Sequence, residues 1–175
     1  MNIAGNKVIL RAIEEQDKEM LLHLIQVPEM AKMTGGYSGP SSYTHQMNWF
    51  RALPESAGNL RSIIADKERP EIGLGIIILS DVDRRNGTGE IYIKLIKSAR
   101  GRGFGRDAVN TLVSYAFGEM GLKRLYSNIL ENNRASRRLF ETCGFKQEAT
   151  CKSKVHRDGH YENVCRYGKA RPETT

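Results

Sequence analysis

Glu90-Ile-Tyr-Ile-Lys-Leu95 is followed by Arg100-Gly-Arg-Gly-Phe-Gly-Arg106 and then by residues 107–117: a strand-like run, a glycine-rich loop and a helix-like run in direct succession. Glycines at three alternate positions, Gly101, Gly103 and Gly105, allow a tight turn that brings backbone N–H groups to one point with no Cβ in the way. That point falls at the start of a helix. Unpaired amides and the positive end of the helix dipole favour an anion there, and Arg100, Arg102 and Arg106 add positive charge. The stretch predicts a site for a phosphorylated ligand.

Two common phosphate loops do not fit. A P-loop ends in Gly-Lys-Ser/Thr, so that a lysine reaches the terminal phosphates and a hydroxyl holds magnesium, whereas Phe104-Gly105-Arg106-Asp107 stands at that end. The dinucleotide fingerprint needs Gly-x-Gly-x-x-Gly, and here the third glycine comes one position early. A disordered Arg/Gly segment that contacts RNA is the other reading of such a composition, but a single cluster locked between a strand and a helix argues against it.

The spacing Arg100-x-x-Gly103-x-Gly105 resembles the acyl-CoA pyrophosphate loop of the GNAT acetyltransferase superfamily. Downstream, Leu122-Lys-Arg-Leu-Tyr126 leads to Asn133-Arg-Ala-Ser-Arg-Arg-Leu-Phe140-Glu-Thr-Cys-Gly144-Phe145, which is similar to the family's fifth strand and following helix. Asp158-Gly-His-Tyr161-Glu-Asn-Val164 resembles the last hairpin of the branch containing spermidine and ribosomal-protein N-acetyltransferases. The resemblance is strongest from Glu90 to Val164. It implies an α/β (α+β) fold: a mixed, mostly antiparallel sheet of about seven strands with splayed central parallel strands, and about four helices.

Composition bounds the rest. At 175 residues the chain has the length of one domain, so residues 1–175 are expected to form a single acetyltransferase unit. No run of eighteen apolar residues is present, and Met1-Asn-Ile-Ala-Gly-Asn-Lys7 lacks the basic and apolar regions of a secretion signal. Cys143, Cys151 and Cys165 form an odd set at no disulfide-framework spacing, which points to a reducing compartment and a cytoplasmic protein with no membrane partner. Residues 1–89 carry ten Lys/Arg against eleven Asp/Glu, and residues 90–175 carry seventeen against nine. Such a basic half suits nucleic acid or the phosphates of coenzyme A, and the charge alone does not choose between them.

Periodicity predicts a strand at residues 7–11 and an amphipathic helix at 17–25, with Met20, Leu21, Leu24 and Ile25 on one face. A Gly/Ser/Pro segment follows, then a second helix from Thr44 to about Leu53, ended by Pro54. Strands at 60–65 and 72–79 flank a turn at 67–70, and a further turn at 83–89 precedes Glu90. Two last strands, about 146–156 and 160–167, pair across Asp158-Gly159.

In the resembled fold the acyl-pantetheine arm lies between the splayed strands as a surrogate strand, so Ile93, Lys94 and Leu95 are expected to offer backbone groups to it. As side chains, Ile91, Ile93 and Leu95 read as ordinary strand core. The resemblance places CoA on Arg100, Gly101, Arg102, Gly103, Phe104, Gly105 and Arg106, with Asn133, Ser136 and Phe140 along the arm; Asn133 also reads as a helix N-cap. Arg137 and Arg138 are secondary phosphate candidates. Acetyl-CoA is the expected co-substrate, with no metal.

An alkylammonium with a pKa near 10.4 is only about one part in 2,500 neutral at pH 7, so a base must take its proton. Glu90, at the start of the strand beside the expected thioester, is the candidate base. Many relatives place an acidic tyrosine seven residues after the matching Asn; here that position is Phe140, which has no proton to give. Tyr161, Ser136, Tyr126 or water are the substitutes for protonating the thiolate. Cys151, His156, His160 and Cys165 contain zinc-type ligands, but strand alternation opposes their convergence.

The expected function is acetyl transfer from acetyl-CoA to a primary amine: a protein N-terminus, an amino sugar or another small amine. The acceptor wall is expected at about residues 26–45 with the last hairpin. That segment is nearly free of carboxylates apart from Glu29, which disfavours a polyamine. The alternatives are a non-catalytic acyl-CoA-binding relative, suggested by Phe140, and an RNA- or ribosome-associated module. Nucleic acid is disfavoured as a partner because no RRM or KH signature is present. A homodimer is admitted as the assembly.

Overall fold

The computed structural model describes residues 2–25, 59–157 and 159–173. Among them an eight-stranded sheet runs in the order β1-β2-β3-β4-β5-β6-β8-β7. The strands are β1 (Ile3–Ala4), β2 (Val8–Arg11), β3 (Leu60–Asp66), β4 (Arg69–Asp83), β5 (Thr88–Leu95), β6 (Arg124–Leu130), β7 (Lys146–Arg157) and β8 (His160–Ala170). Among the described residues three α-helices accompany them: α1 (Lys18–Ile25), α2 (Phe104–Gly118) and α3 (Arg134–Thr142). Every pairing is antiparallel except β5 with β6. The expected second helix lies outside the described residues, as does the carboxylate-poor segment 26–45.

The sheet exceeds the expected seven strands because the two-residue β1 carries no alternation signal of its own; it pairs with β2 through Ile3↔Leu10 and Ala4↔Ile9. Pro70 falls inside β4 rather than in the turn, which is confined to Lys67 and Glu68. A register shift there removes the proline from the ladder, and its carbonyl accepts from Arg11 Nε at 2.6 Å.

Alternation along the central strands builds two cores. Ile77, Leu79, Ile91, Leu125 and Ile129 face α2 and α3, meeting Ala108, Val109, Leu112, Ala116 and Phe140. Ile63, Ile76 and Ile78 face the other way, onto Leu21 and Leu24 of α1. Burial on both faces explains the unbroken run Ile76-Ile-Ile-Leu79, which has no polar alternate.

Two carboxylates fix the N-terminal part. Asp107, in the first turn of α2, accepts from the backbone N–H groups of Lys7 (2.7 Å), Val8 (2.9 Å) and Asn6 (3.2 Å), tying that helix to the β1–β2 turn. Asp17 and Arg11 form a bidentate pair with both contacts at 2.8 Å and side chains 1% and 9% exposed, and Asp17 also accepts from Glu14 N–H. Breaking a buried pair strands a charge. Asp17→Ala is expected to cost about 3–5 kcal/mol in urea unfolding, whereas replacing both partners by apolar residues of similar volume should recover much of that loss. An Asp17→Ala protein as stable as the parent would contradict this.

Candidate active site

β5 and β6 pair through only three positions, Thr88↔Arg124, Gly89↔Leu125 and Glu90↔Tyr126, and then part. At the fork Ser127 Oγ donates to the Ile91 carbonyl at 2.8 Å, and at the far end Arg100 Nε donates to the Leu95 carbonyl at 3.2 Å. In an antiparallel strand successive residues direct their backbone groups to opposite neighbours. Ile91 and Leu95 face the gap, so Ile93 between them does too. The gap opens into a cavity of about 710 Å³. Ile93, Lys94 and Leu95 line it, together with Arg100, Gly101, Gly103, Gly105, Arg106, Asn133, Ser136 and Phe140.

The glycine loop divides its labour differently from the expectation of one three-glycine turn. Gly101 and Gly103 have φ of +73° and +84°, in the left-handed region that other residues avoid. Gly103 is the N-cap of α2 and provides no side-chain cap, leaving first-turn amides for an anion. Gly105 lies within the helix, where an added Cβ would stand 3.2 Å from Leu95 Cδ1 and 3.4 Å from Leu139 Cδ2. Its role is close packing of α2 on β5 and α3.

Arg102 and Phe104 do not line the cavity. The Phe104 ring is buried in the main core, the Arg102 guanidinium sits 4.9 Å from its centroid, and Lys7 Nζ donates to the Arg102 carbonyl at 2.8 Å. Arg137 is likewise drawn away from a phosphate role, donating to Tyr167 Oη and to the Glu131 carbonyl. Asn133 caps α3, its Oδ1 accepting from Ser136 N–H at 3.1 Å, which leaves its NH2 to donate to a ligand. Phe140 is 1% exposed and packs edge-on against Phe145 at 5.0 Å. Tyr161 does not line the cavity: it is 68% exposed near the hairpin tip, its ring tilted against that of His156 with centroids 4.9 Å apart. The zinc reading fails on register, because Cys165 points into the main core while Cys151 pairs with Val164, one position along.

Glu90 stands at the fork, 9% exposed, accepting from Asn128 Nδ2 at 3.0 Å. Burial pushes its carboxyl above the ordinary glutamate range; the Asn128 hydrogen bond opposes this, Asp81 reinforces it by charge and by a hydrogen bond, and Arg166 opposes it. Asp81 is a cavity residue that sequence reasoning missed. One extra residue between Ser80↔Glu90 and Asp83↔Thr88 makes a bulge in β4, and Asp81 adopts φ +49° within it. Arg166 lies over the Tyr126 ring at 4.1 Å, and Tyr126 itself does not line the cavity.

The residues 7–146 match the family model described as acetyltransferase (GNAT) domain. The chain belongs to the GNAT acetyltransferases. Among its relatives, YjcK of Bacillus subtilis, provisionally named an N-acetyltransferase, is 33% identical over 165 residues, covering 83% of this chain and 91% of that protein. YdaF of the same organism, provisionally named a ribosomal N-acetyltransferase, is 25% identical over 173 residues, covering 95% and 92%. A crystal structure of spermidine N-acetyltransferase from Vibrio cholerae in complex with CoA and spermine matches with a TM-score of 0.81 at 20% identity, covering 94% of this chain and 95% of that one. The chain is therefore an acyltransferase of a family that uses acetyl-CoA, with the expected mixed fold. Family membership sets an enzyme ahead of the RNA-binding module. No helix among the described residues is long and apolar enough to cross a membrane.

The raised Glu90 pKa carries a sign for stability. Below the ordinary glutamate value of about 4.3, the carboxyl is protonated in folded and unfolded chains alike and costs nothing. As pH rises through the raised folded value, the folded protein must ionise a desolvated group, and stability is lost. Glu90→Gln is thus expected to melt above the parent at pH 7, with the difference fading towards pH 4. Equal melting curves by circular dichroism at both pH values would show that Glu90 ionises without penalty.

Proposed function

We propose that this chain transfers an acetyl group from acetyl-CoA to a primary amine, with Glu90 as the base. The observation that carries the reading is the position of Glu90: a buried carboxyl with a raised pKa at the point where β5 and β6 part. A base whose pKa is drawn towards neutrality combines a useful ionised fraction with a real affinity for the amine proton. The fork fits an acyl-pantetheine arm because Ile93 faces it with backbone groups that β6 does not pair, and the α2 amides with Arg100 and Arg106 suit a pyrophosphate. When bound, acetyl-CoA supplies the activated thioester.

The chain's own groups then do the following. Asp81 and Glu90 attract the incoming ammonium, Glu90 takes its proton directly or through water, and Asn128 holds the Glu90 carboxylate in place. Tyr161 is withdrawn as an acid by its exposure, leaving Ser136 and water at the thiolate end. A thiol pKa of about 8.5 makes the thiolate a tolerable leaving group without a dedicated acid. Phe140 favours one second reading, an acyl-CoA-binding relative with little turnover.

Glu90→Gln is expected to lower turnover about 10²–10⁴-fold at neutral pH with little change in CoA affinity, the defect shrinking at high pH. Steady-state rates from pH 6 to 10 test this, and a variant as fast as the parent throughout would remove Glu90 from the chemistry. Gly103→Val should abolish CoA binding in isothermal titration, since a β-branched residue resists the left-handed conformation that sets the loop amides at the start of α2; unchanged affinity in a folded variant would remove the loop from the site. Phe140→Tyr should be tolerated only if its hydroxyl finds the cavity rather than the Phe145 ring. A homodimer is one assembly to be checked by light scattering.

A further inference from the structure

Among the described residues, the only two non-glycine positions with positive φ are Asp81 and Ser153. Both lie in β-bulges, and both bulges border the same cavity. Bulges re-aim side chains that regular alternation would send elsewhere. The first presents Asp81 beside Glu90. The second inserts two extra residues in β7 between the pairs Cys151↔Val164 and Val155↔Glu162, and it presents Lys154 as a cavity residue. It is built in place: Ser153 N–H donates to Asn163 Oδ1 at 2.9 Å, and Asn163 Nδ2 donates to Glu131 Oε2 at 2.9 Å.

We propose that Lys154 reads an anionic group on the acceptor, so that the preferred substrate is an amine that also carries a carboxylate or a phosphate. This rests on the acetyl-transfer reading. Lys154 approaches from the hairpin: Val164 pairs with Leu130, and Arg166 pairs with Asn128, the residue that binds Glu90, so the bulge belongs to the acceptor face of the sheet. The phosphate loop instead opens α2, whose buried residues pack on the opposite face. Arg100 and Arg106 are thereby assigned to the phosphates of CoA, and Lys154 to the acceptor. No hydrogen bond or ion pair engages the Lys154 ammonium among the described residues, so its charge is available. The cavity is therefore bipolar: Asp81 and Glu90 suit an ammonium, and Lys154 repels a second one. A diamine satisfies the first group and opposes the second.

The test compares ω-amino acids, their carboxamides, the matching diamines and the matching aminoalkyl phosphates as acceptors, at equal chain length, with the parent, Lys154→Ala and Lys154→Glu. The parent is expected to favour the anionic acceptors over carboxamides by about tenfold or more in kcat/KM. Lys154→Ala should erase that preference, and Lys154→Glu should turn it towards diamines, with CoA affinity unchanged in isothermal titration. Carboxylate and phosphate arms distinguish the two anions. A parent that acetylates carboxamides or diamines as well as anionic amines overturns the inference while acetyl transfer stands, as does a loss of CoA affinity in Lys154→Glu. A parent that binds acetyl-CoA yet acetylates none of the amines overturns both.

Discussion

Three residue pairs hold β5 against β6, and their separation after Glu90↔Tyr126 is the constraint on which the rest of the site depends. A buried strand that loses its neighbour leaves backbone groups that must find other partners or remain available to a ligand. Ser127 Oγ closes the fork at Ile91, and Arg100 Nε closes the far end at Leu95, so the open stretch centres on Ile93. Both closing groups are side chains. The cavity is consequently framed by two hydrogen bonds from residues lying in different elements.

The same divergence sets the electrostatics. Glu90 remains in the last paired position, where β4, β6 and the sheet surround it, and burial raises its pKa. A second carboxylate, Asp81, is held close by a backbone conformation that an aspartate adopts only at a cost. Asn128 and Arg166 offset part of that concentration of negative charge, the latter while lying on the Tyr126 ring. Such an arrangement holds a desolvated carboxyl at a cost in stability once it ionises. The stabilising contributions come from elsewhere: two apolar cores on opposite faces of the sheet, the buried Arg11–Asp17 pair, and the Asp107 carboxylate that anchors α2 to the β1–β2 turn.

Read as a chain of residues, the protein discloses what depends on local spacing. The loop at 100–106, the alternation of Glu90 to Leu95, the N-cap at Asn133 and the last two strands each follow from short-range rules of conformation, and all stand where those rules put them. Where a residue's role depends on its direction, spacing is weaker. Arg102 and Phe104 sit inside a glycine loop of the right pattern, yet one stacks on the other and the ring fills the core. Tyr161 has suitable chemistry, but its place beside the hairpin tip carries it into solvent.

What the amino-acid order determined by itself is the mixed sheet, the phosphate-type loop at a helix start, the candidate base and the absence of a hydroxyl at position 140, because each is set within a few residues of chain. What only the tertiary structure decided is which groups meet across the fork. Asp81 and Lys154 are unremarked charges in sequence, spaced more than seventy residues apart. They share one cavity because a bulge in β4 and another in β7 shift the alternation of their strands, and a register shift is settled by pairing with a neighbouring strand, not by the residues of the strand alone.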